Sequence, residues 1–352
     1  MQINLKKKDT ELNMNGYRNF PNLYHHLDIN MESTNEIKKD RFLFLITFSN
    51  GLLHVFKISL ASLLPLIQTE FSLSYTKVGI LTSILSLCWA SSGIFAGIVA
   101  DKVDKIKMIL SVLLLISVFS ATMVLTSTFL TALLFLIFLY VSIGLFLPPV
   151  YSYMACRYLK ARGKIFGIFE IGGSVGVLIG PITAGVISSY FGWRSVYTLW
   201  ALPIFVIAYL FYRFSLKNRI RSKREDRVDE IDKKELLNRK SLSNFLPRLK
   251  IIFLAQGFFG FIGGGTISFL PLFLKNVHNF SVGNAGGVLT LFLAGGMAGK
   301  MIGGKYSDIW DPKKVITVAF LTTSLFLFLV PLISSFSLIV VLLFTGVTLF
   351  WR

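Results

Sequence analysis

The chain has 352 residues, 54% of them hydrophobic and 14% aromatic, and only 15% charged. A water-soluble domain cannot cover that much apolar surface, so the composition is that of a polytopic membrane protein. The net charge of +18 would suit a nucleic-acid binder, but the basic residues lie between apolar segments rather than in one patch, which excludes that reading. Cys88 and Cys156 make neither a metal spacing nor a supported disulfide.

Residues 1–41 are polar, include Lys6 to Lys8 and lack the apolar stretch of a signal peptide. They read as a disordered cytoplasmic tail, within which Met14 and Met31 are alternative starts. Ten apolar segments follow, most of them near the roughly 20 residues that cross a bilayer. They fall at about 42–66, 76–100, 107–127, 128–155, 164–190, 193–216, 249–276, 283–308, 314–333 and 335–352. The fold class is therefore all-α. Residues 42–216 are expected to form a six-helix bundle, 217–248 a charged cytoplasmic linker, and 249–352 the first four helices of a second bundle. The linker is best explained as a tether against anionic lipid headgroups.

Sidedness follows from charge. With the N-terminus inside, 30 of the 36 Lys and Arg fall in cytoplasmic loops and inner helix ends, and three, Lys77, Arg194 and Lys275, fall outside. That bias predicts a cytoplasmic N-terminus.

The second bundle repeats the first. Gly97, Asp101, Asp104 and Lys107 return 207 residues later as Gly304, Asp308, Asp311 and Lys314. Each copy closes an apolar segment, an organisation that predicts an internally duplicated secondary transporter. The same offset maps residue 352 onto residue 145, inside the fourth segment. The repeat is thus expected to stop mid-helix, in a chain cut from one of about 410–425 residues. A product that ended there would be expected not to transport.

Three motifs carry a resemblance to a known family. The first is Gly97-x-x-x-Asp101-Lys102-x-x-Lys105-x-Lys107 with its second copy from Gly304, which includes Asp308, Lys313 and Lys314. The second is Gly167, Gly176, Gly180-Pro181 and Ala184-Gly185 in the fifth segment. The third is Gly192-Trp193-Arg194. These resemble the major facilitator superfamily, over residues 42–352. The resemblance implies two six-helix bundles, rocker-switch alternating access and a small-molecule substrate, and it makes the Asp101 and Asp308 loops cytoplasmic latches. The fifth-segment motif resembles that of the family's antiporters and implies a pivot and a tight seam between the bundles. One departure is Asp104, where the family usually has glycine. Gly51-x-x-His54-x-x-Lys57, Leu64-Pro65-Leu66-Ile67-Gln68 and Gly172-Gly173 resemble the fosmidomycin-resistance branch of drug exporters. Lys57 stands near where that branch tends to carry an acidic residue, so its substrate class is not carried over.

Ionisable residues inside the membrane are the best substrate or coupling candidates. Lys57 lies halfway along the first segment and His54 one turn earlier on nearly the same face. Such a pair suits an organic anion or proton coupling, against the plainer reading of a lysine reaching out to the interface. Glu170 in the fifth segment reads equally as a proton acceptor or as the partner of Arg157 or Lys164. Tyr140 and Gln256 add polar groups, and Lys300 reads as an anchor. No enzyme, cofactor or metal pattern is present. The expected function is proton-coupled export of a small organic solute, with uptake of a small organic anion as the alternative. Protons and membrane lipids are the other partners.

Overall fold

The computed structural model describes residues 40–158, 162–217, 239–310, 312–333 and 336–349. The tail expected to be disordered and most of the linker therefore lie outside the described residues. Residues 42–352 form one compact unit. The described helices are α1 (Arg41–Glu70), α2 (Tyr75–Ala100), α3 (Lys105–Ala121), α4 (Phe129–Gly144), α5 (Leu147–Arg157), α6 (Arg162–Phe191), α7 (Trp193–Lys217), α8 (Arg239–Asn276), α9 (Val282–Ile309), α10 (Pro312–Leu329) and α11 (Phe336–Leu349). No strand occurs among the described residues.

Seven of these stretches are long and apolar enough to cross a membrane: α1, α2, α3 with its terminal turn, α4 with α5, α6, α7 and α9. The apolar parts of α10 and α11 are shorter. α8 begins at Arg239 and so carries helix back into the range expected to be linker. The fourth segment, expected as one helix, is two. Pro148 and Pro149 supply no backbone N–H, so the hydrogen-bond ladder breaks and α5 restarts with proline in its first turn.

Local signals place the ends. The side chains of Ser74, Asp104, Thr128 and Ser281 accept hydrogen bonds from the first turns of α2, α3, α4 and α9. Asp104 thus has its own reason to replace a glycine: its Oδ1 accepts from the Lys107 N–H at 3.0 Å. Gly192, at φ +79°, makes the one-residue corner between α6 and α7 that a side chain would strain.

The 207-residue offset holds in three dimensions. Tyr75, Lys105 and Phe129 begin helices, and so do Val282, Pro312 and Phe336. The left-handed turn residues Ser72 (φ 49°) and Asn279 (φ 57°) are equivalent, and so are the caps Ser74 and Ser281. Asn279 and Ser281, which together read as a glycosylation sequon, are a turn and a cap.

Rows of large apolar side chains remain on the outside, among them Phe44, Leu87, Ile94, Phe138, Leu202 and Phe328. Lipid satisfies such faces, since the helices already pair their own backbone groups. In the second half, Leu270, Leu274, Ala285, Leu289, Phe292 and Leu342 build a core that also takes in Ala61 of α1.

Candidate functional site

The fifth segment, α6, organises the site through its glycines. Side chains built at Gly172, Gly173, Gly176 and Gly180 would run into α1: into Thr47, into Asn50 and His54, into Gly51, and into Ile58 and Val55 respectively. Asn50 Nδ2 donates to the Phe169 carbonyl at 3.0 Å and fixes the register. The inner run of the motif therefore seals α6 onto α1 within the same half. Only the outer run crosses to the other half, where Gly185 meets Gly283 and the Pro181 carbonyl meets Gly286. Thr290 Oγ1 extends that contact to the Leu178 carbonyl at 3.2 Å. Gly167 touches nothing within 4 Å. The expected seam between bundles is thus divided, because α6 sits between α1 and α9.

The halves meet at the end that holds Glu70 and Asn276. Gln68 and Lys275 are equivalent under the repeat, as are Thr69 and Asn276, and each pairs with the other's neighbour. Asn276 Nδ2 donates to Gln68 Oε1 at 3.0 Å, and Lys275 Nζ donates to Thr69 Oγ1 at 3.3 Å. Asn276 Nδ2 also reaches the Tyr75 hydroxyl at 3.0 Å. This is the reciprocal contact of a pseudo-two-fold interface. On α6 and α9, Ile171 and Met301 are 62% and 79% exposed.

Polar groups also lie inside the apolar spans. His54 packs edge-on against Gly173 and has Lys57, Glu170 and Lys300 as its charged neighbours. The structure thus gathers ionisable residues from α1, α6 and α9. The Lys57 ammonium does not leave for the interface: its Nζ sits 3.4 Å from the centre of the Trp89 ring on α2. Tyr140 is buried and donates its hydroxyl to the Lys57 carbonyl at 3.0 Å. Glu170 accepts from the Tyr151 hydroxyl at 2.6 Å, a partner the sequence reading did not weigh beside Arg157 and Lys164. Gln256 lies in α8, but its side chain is outside the described residues.

The Asp101 loop is capped at both ends. The backbone N–H groups of Asp101 and Lys102 donate to the Val99 carbonyl, while Lys102 and Lys107 are exposed and Lys105 is partly buried. Gly97 has open space around it. In the second copy Lys314 is exposed, while Asp311 and the side chains of Asp308 and Lys313 lie outside the described residues, as do the surroundings of Gly304.

A second cluster was not read from the sequence as a unit. Arg194 grips Glu70 with two bonds, NH1 to Oε2 at 2.9 Å and NH2 to Oε1 at 2.6 Å. Trp193 Nε1 donates to the same carboxylate at 2.7 Å, and Arg194 Nε donates to the Thr126 carbonyl at 2.6 Å. The Gly-Trp-Arg motif thereby ties the end of α1 to the start of α7 and to the turn before α4. The motif was visible, but its partner Glu70, 124 positions away, was not.

Two repeated helical units, closed on each other at one end around embedded charges, define an integral membrane protein of transporter architecture. Residues 43–351 match the Major Facilitator Superfamily. The chain belongs to that family. It is 26% identical over 145 residues to the cis,cis-muconate transport protein of Acinetobacter baylyi, covering 39% of this chain and 34% of that protein. It is 25% identical over 201 residues to the multidrug resistance protein MdtG of Salmonella arizonae, covering 53% and 45%. The matched stretches span less than half the length of either relative. Among solved structures, it resembles an inward-facing, unoccupied bacterial homologue of the human lysosomal transporter Spinster. That match has TM-score 0.74 and 20% identity and covers 88% of this chain and 72% of that one. A peptide transporter in complex with alafosfalin matches with TM-score 0.64 and 16% identity, covering 88% and 79%. At these identities the likeness is one of fold.

Proposed function

We propose that the chain carries a small organic solute across the membrane by rocker-switch alternating access, in exchange for protons and in the direction of export. The observation that supports this best is the reciprocal interface that joins the halves at the Gln68–Asn276 end, together with ionisable His54, Lys57 and Glu170 inside the apolar spans. A two-fold interface of a few hydrogen bonds is a bistable element of the kind a rocking motion requires. In this reading the N-terminus is cytoplasmic, the Gln68–Asn276 end faces outward, and the membrane is the cell's plasma or inner membrane. His54 and Glu170 take and release the coupled protons. The Asp101 and Asp308 loops latch the cytoplasmic side in the alternate state. Gly176 and Gly180 let α6 ride on α1, while Pro181 and Gly185 form its hinge against α9.

The test is flux in liposomes containing the full chain and an imposed pH gradient, with ethidium and benzoate as cationic and anionic probes. Solute-dependent proton movement, lost in Glu170→Gln, is the expected result. Neither proton flux nor solute exchange with any probe would refute the reading.

Import of a small organic anion is the second reading. It is favoured by Lys57 and Lys300 around His54 against the single carboxylate of Glu170, and by similarity to a protein named for a dicarboxylate. Benzoate uptake with protons under an inside-alkaline gradient, in excess of that into protein-free liposomes, would select it.

A further inference from the structure

A lysine halfway through a membrane helix needs a partner, because an ammonium in a low-dielectric interior loses its hydration and usually neutralises or escapes along its stem. Lys57 does not escape here. Its Nζ is 3.4 Å from the centroid of Trp89, well inside the roughly 6 Å within which an indole face attracts a cation. Both residues are only partly buried.

Trp89 is itself held in place. Its carbonyl lies against Gly144 of α4, where a side chain would also strike Ser92. The Ser92 hydroxyl donates to that same Trp89 carbonyl at 2.9 Å. One turn earlier on the same helix, Tyr140 clamps the Lys57 carbonyl. The backbones on both sides of the pair are thereby fixed, by a glycine contact and a buried hydroxyl, from a helix that carries neither member.

We propose that Trp89 is a positioning residue that holds the Lys57 ammonium in the interior, and that the two together form a binding site for the carboxylate of a small organic acid. The ring covers one side of the ammonium and has no acceptor that would use up its protons. The N–H donors on the remaining sides stay available to a carboxylate oxygen. The flanking charges favour an anion: Lys300 adds positive potential near His54, and Glu170 is occupied by Tyr151. His54, one turn from Lys57, supplies a second ring nitrogen on the same side. This proposal rests on the transporter reading only for what the site serves, and binding tests it separately.

The experiment is equilibrium binding of benzoate, with neutral benzyl alcohol as control, to the full chain in lipid nanodiscs. Lys57→Met should abolish the preference for benzoate. Affinity should fall in the order Trp89, Trp89→Tyr, Trp89→Phe, Trp89→Leu, with Trp89→Leu weaker by about tenfold, as loss of a partly desolvated cation–π contact implies. Trp89→Leu should add little in the Lys57→Met background, since the two changes remove one interaction. Unchanged benzoate affinity in Trp89→Leu would overturn the proposal, and so would losses that simply add. Equal weakening of benzyl alcohol would also overturn it, because that marks a packing role. If Trp89→Leu fails to fold, the ranking of the Tyr and Phe variants decides, since both keep a ring. Benzoate binding without flux in liposomes would fail the transporter reading and leave this one standing.

Discussion

The α1–α6 seam makes a sharp prediction at Gly176. A methyl group there would sit 2.7 Å from the Gly51 carbonyl carbon and 3.0 Å from its Cα, with the carbonyl oxygen nearer still. Ordinary contact begins near 3.4 Å. All three atoms are backbone, so no side chain can swing away and α1 must retreat by at least about 0.7 Å. That retreat pulls on Asn50, whose amide reaches the Phe169 carbonyl seven residues earlier on α6. Overpacking of this kind costs about 1–3 kcal/mol. Gly167→Ala is the internal control. It adds the same methyl group to the same helix where nothing lies within 4 Å, and replacing a helical glycine by alanine contributes up to about 1 kcal/mol of stability. Thermal unfolding of both variants in detergent should therefore move in opposite directions, with Gly176→Ala melting lower. Wild-type melting of Gly176→Ala would refute the seam. So would a Gly167→Ala variant that melts lowest, since the open position would then cost more than the packed one.

Other outcomes follow from the same contacts. Asn276→Ala removes two hydrogen bonds that span the halves, each of about 0.5–1.5 kcal/mol net; spin labels on the ends of α1 and α8 should show a larger share of widely separated distances. Arg194→Lys keeps the charge but cannot hold Glu70 with two bonds while donating to Thr126. Because the pair is partly exposed, the loss should be only about 1 kcal/mol in melting experiments. Tyr151→Phe deletes the hydrogen bond to Glu170 and should change the pH profile of transport. An unchanged profile would remove Glu170 from the coupling step.

Hydropathy in the sequence was enough for the helical class, because a bilayer leaves few backbone solutions and each segment declares itself by length; the repeated motifs carried the duplication and the family resemblance. The offset of Gly97 to Gly304 was read from residues alone, and it reappears in helix starts, caps and left-handed turns because each half folds its own repeat. Pro148-Pro149 was equally visible as a breaker, yet hydropathy read across it. What the sequence left open were the pairings. His54 and Lys57 were legible as a pair on α1 because one helical turn separates them. Trp89, Tyr140 and Tyr151 became their neighbours, or Glu170's, only through helix packing. Spacing within one helix is set by its own geometry, whereas the partner across a seam depends on how closely two backbones approach. That approach was decided where glycines of α6 met α1 on one side and α9 on the other, and no single segment carries that information.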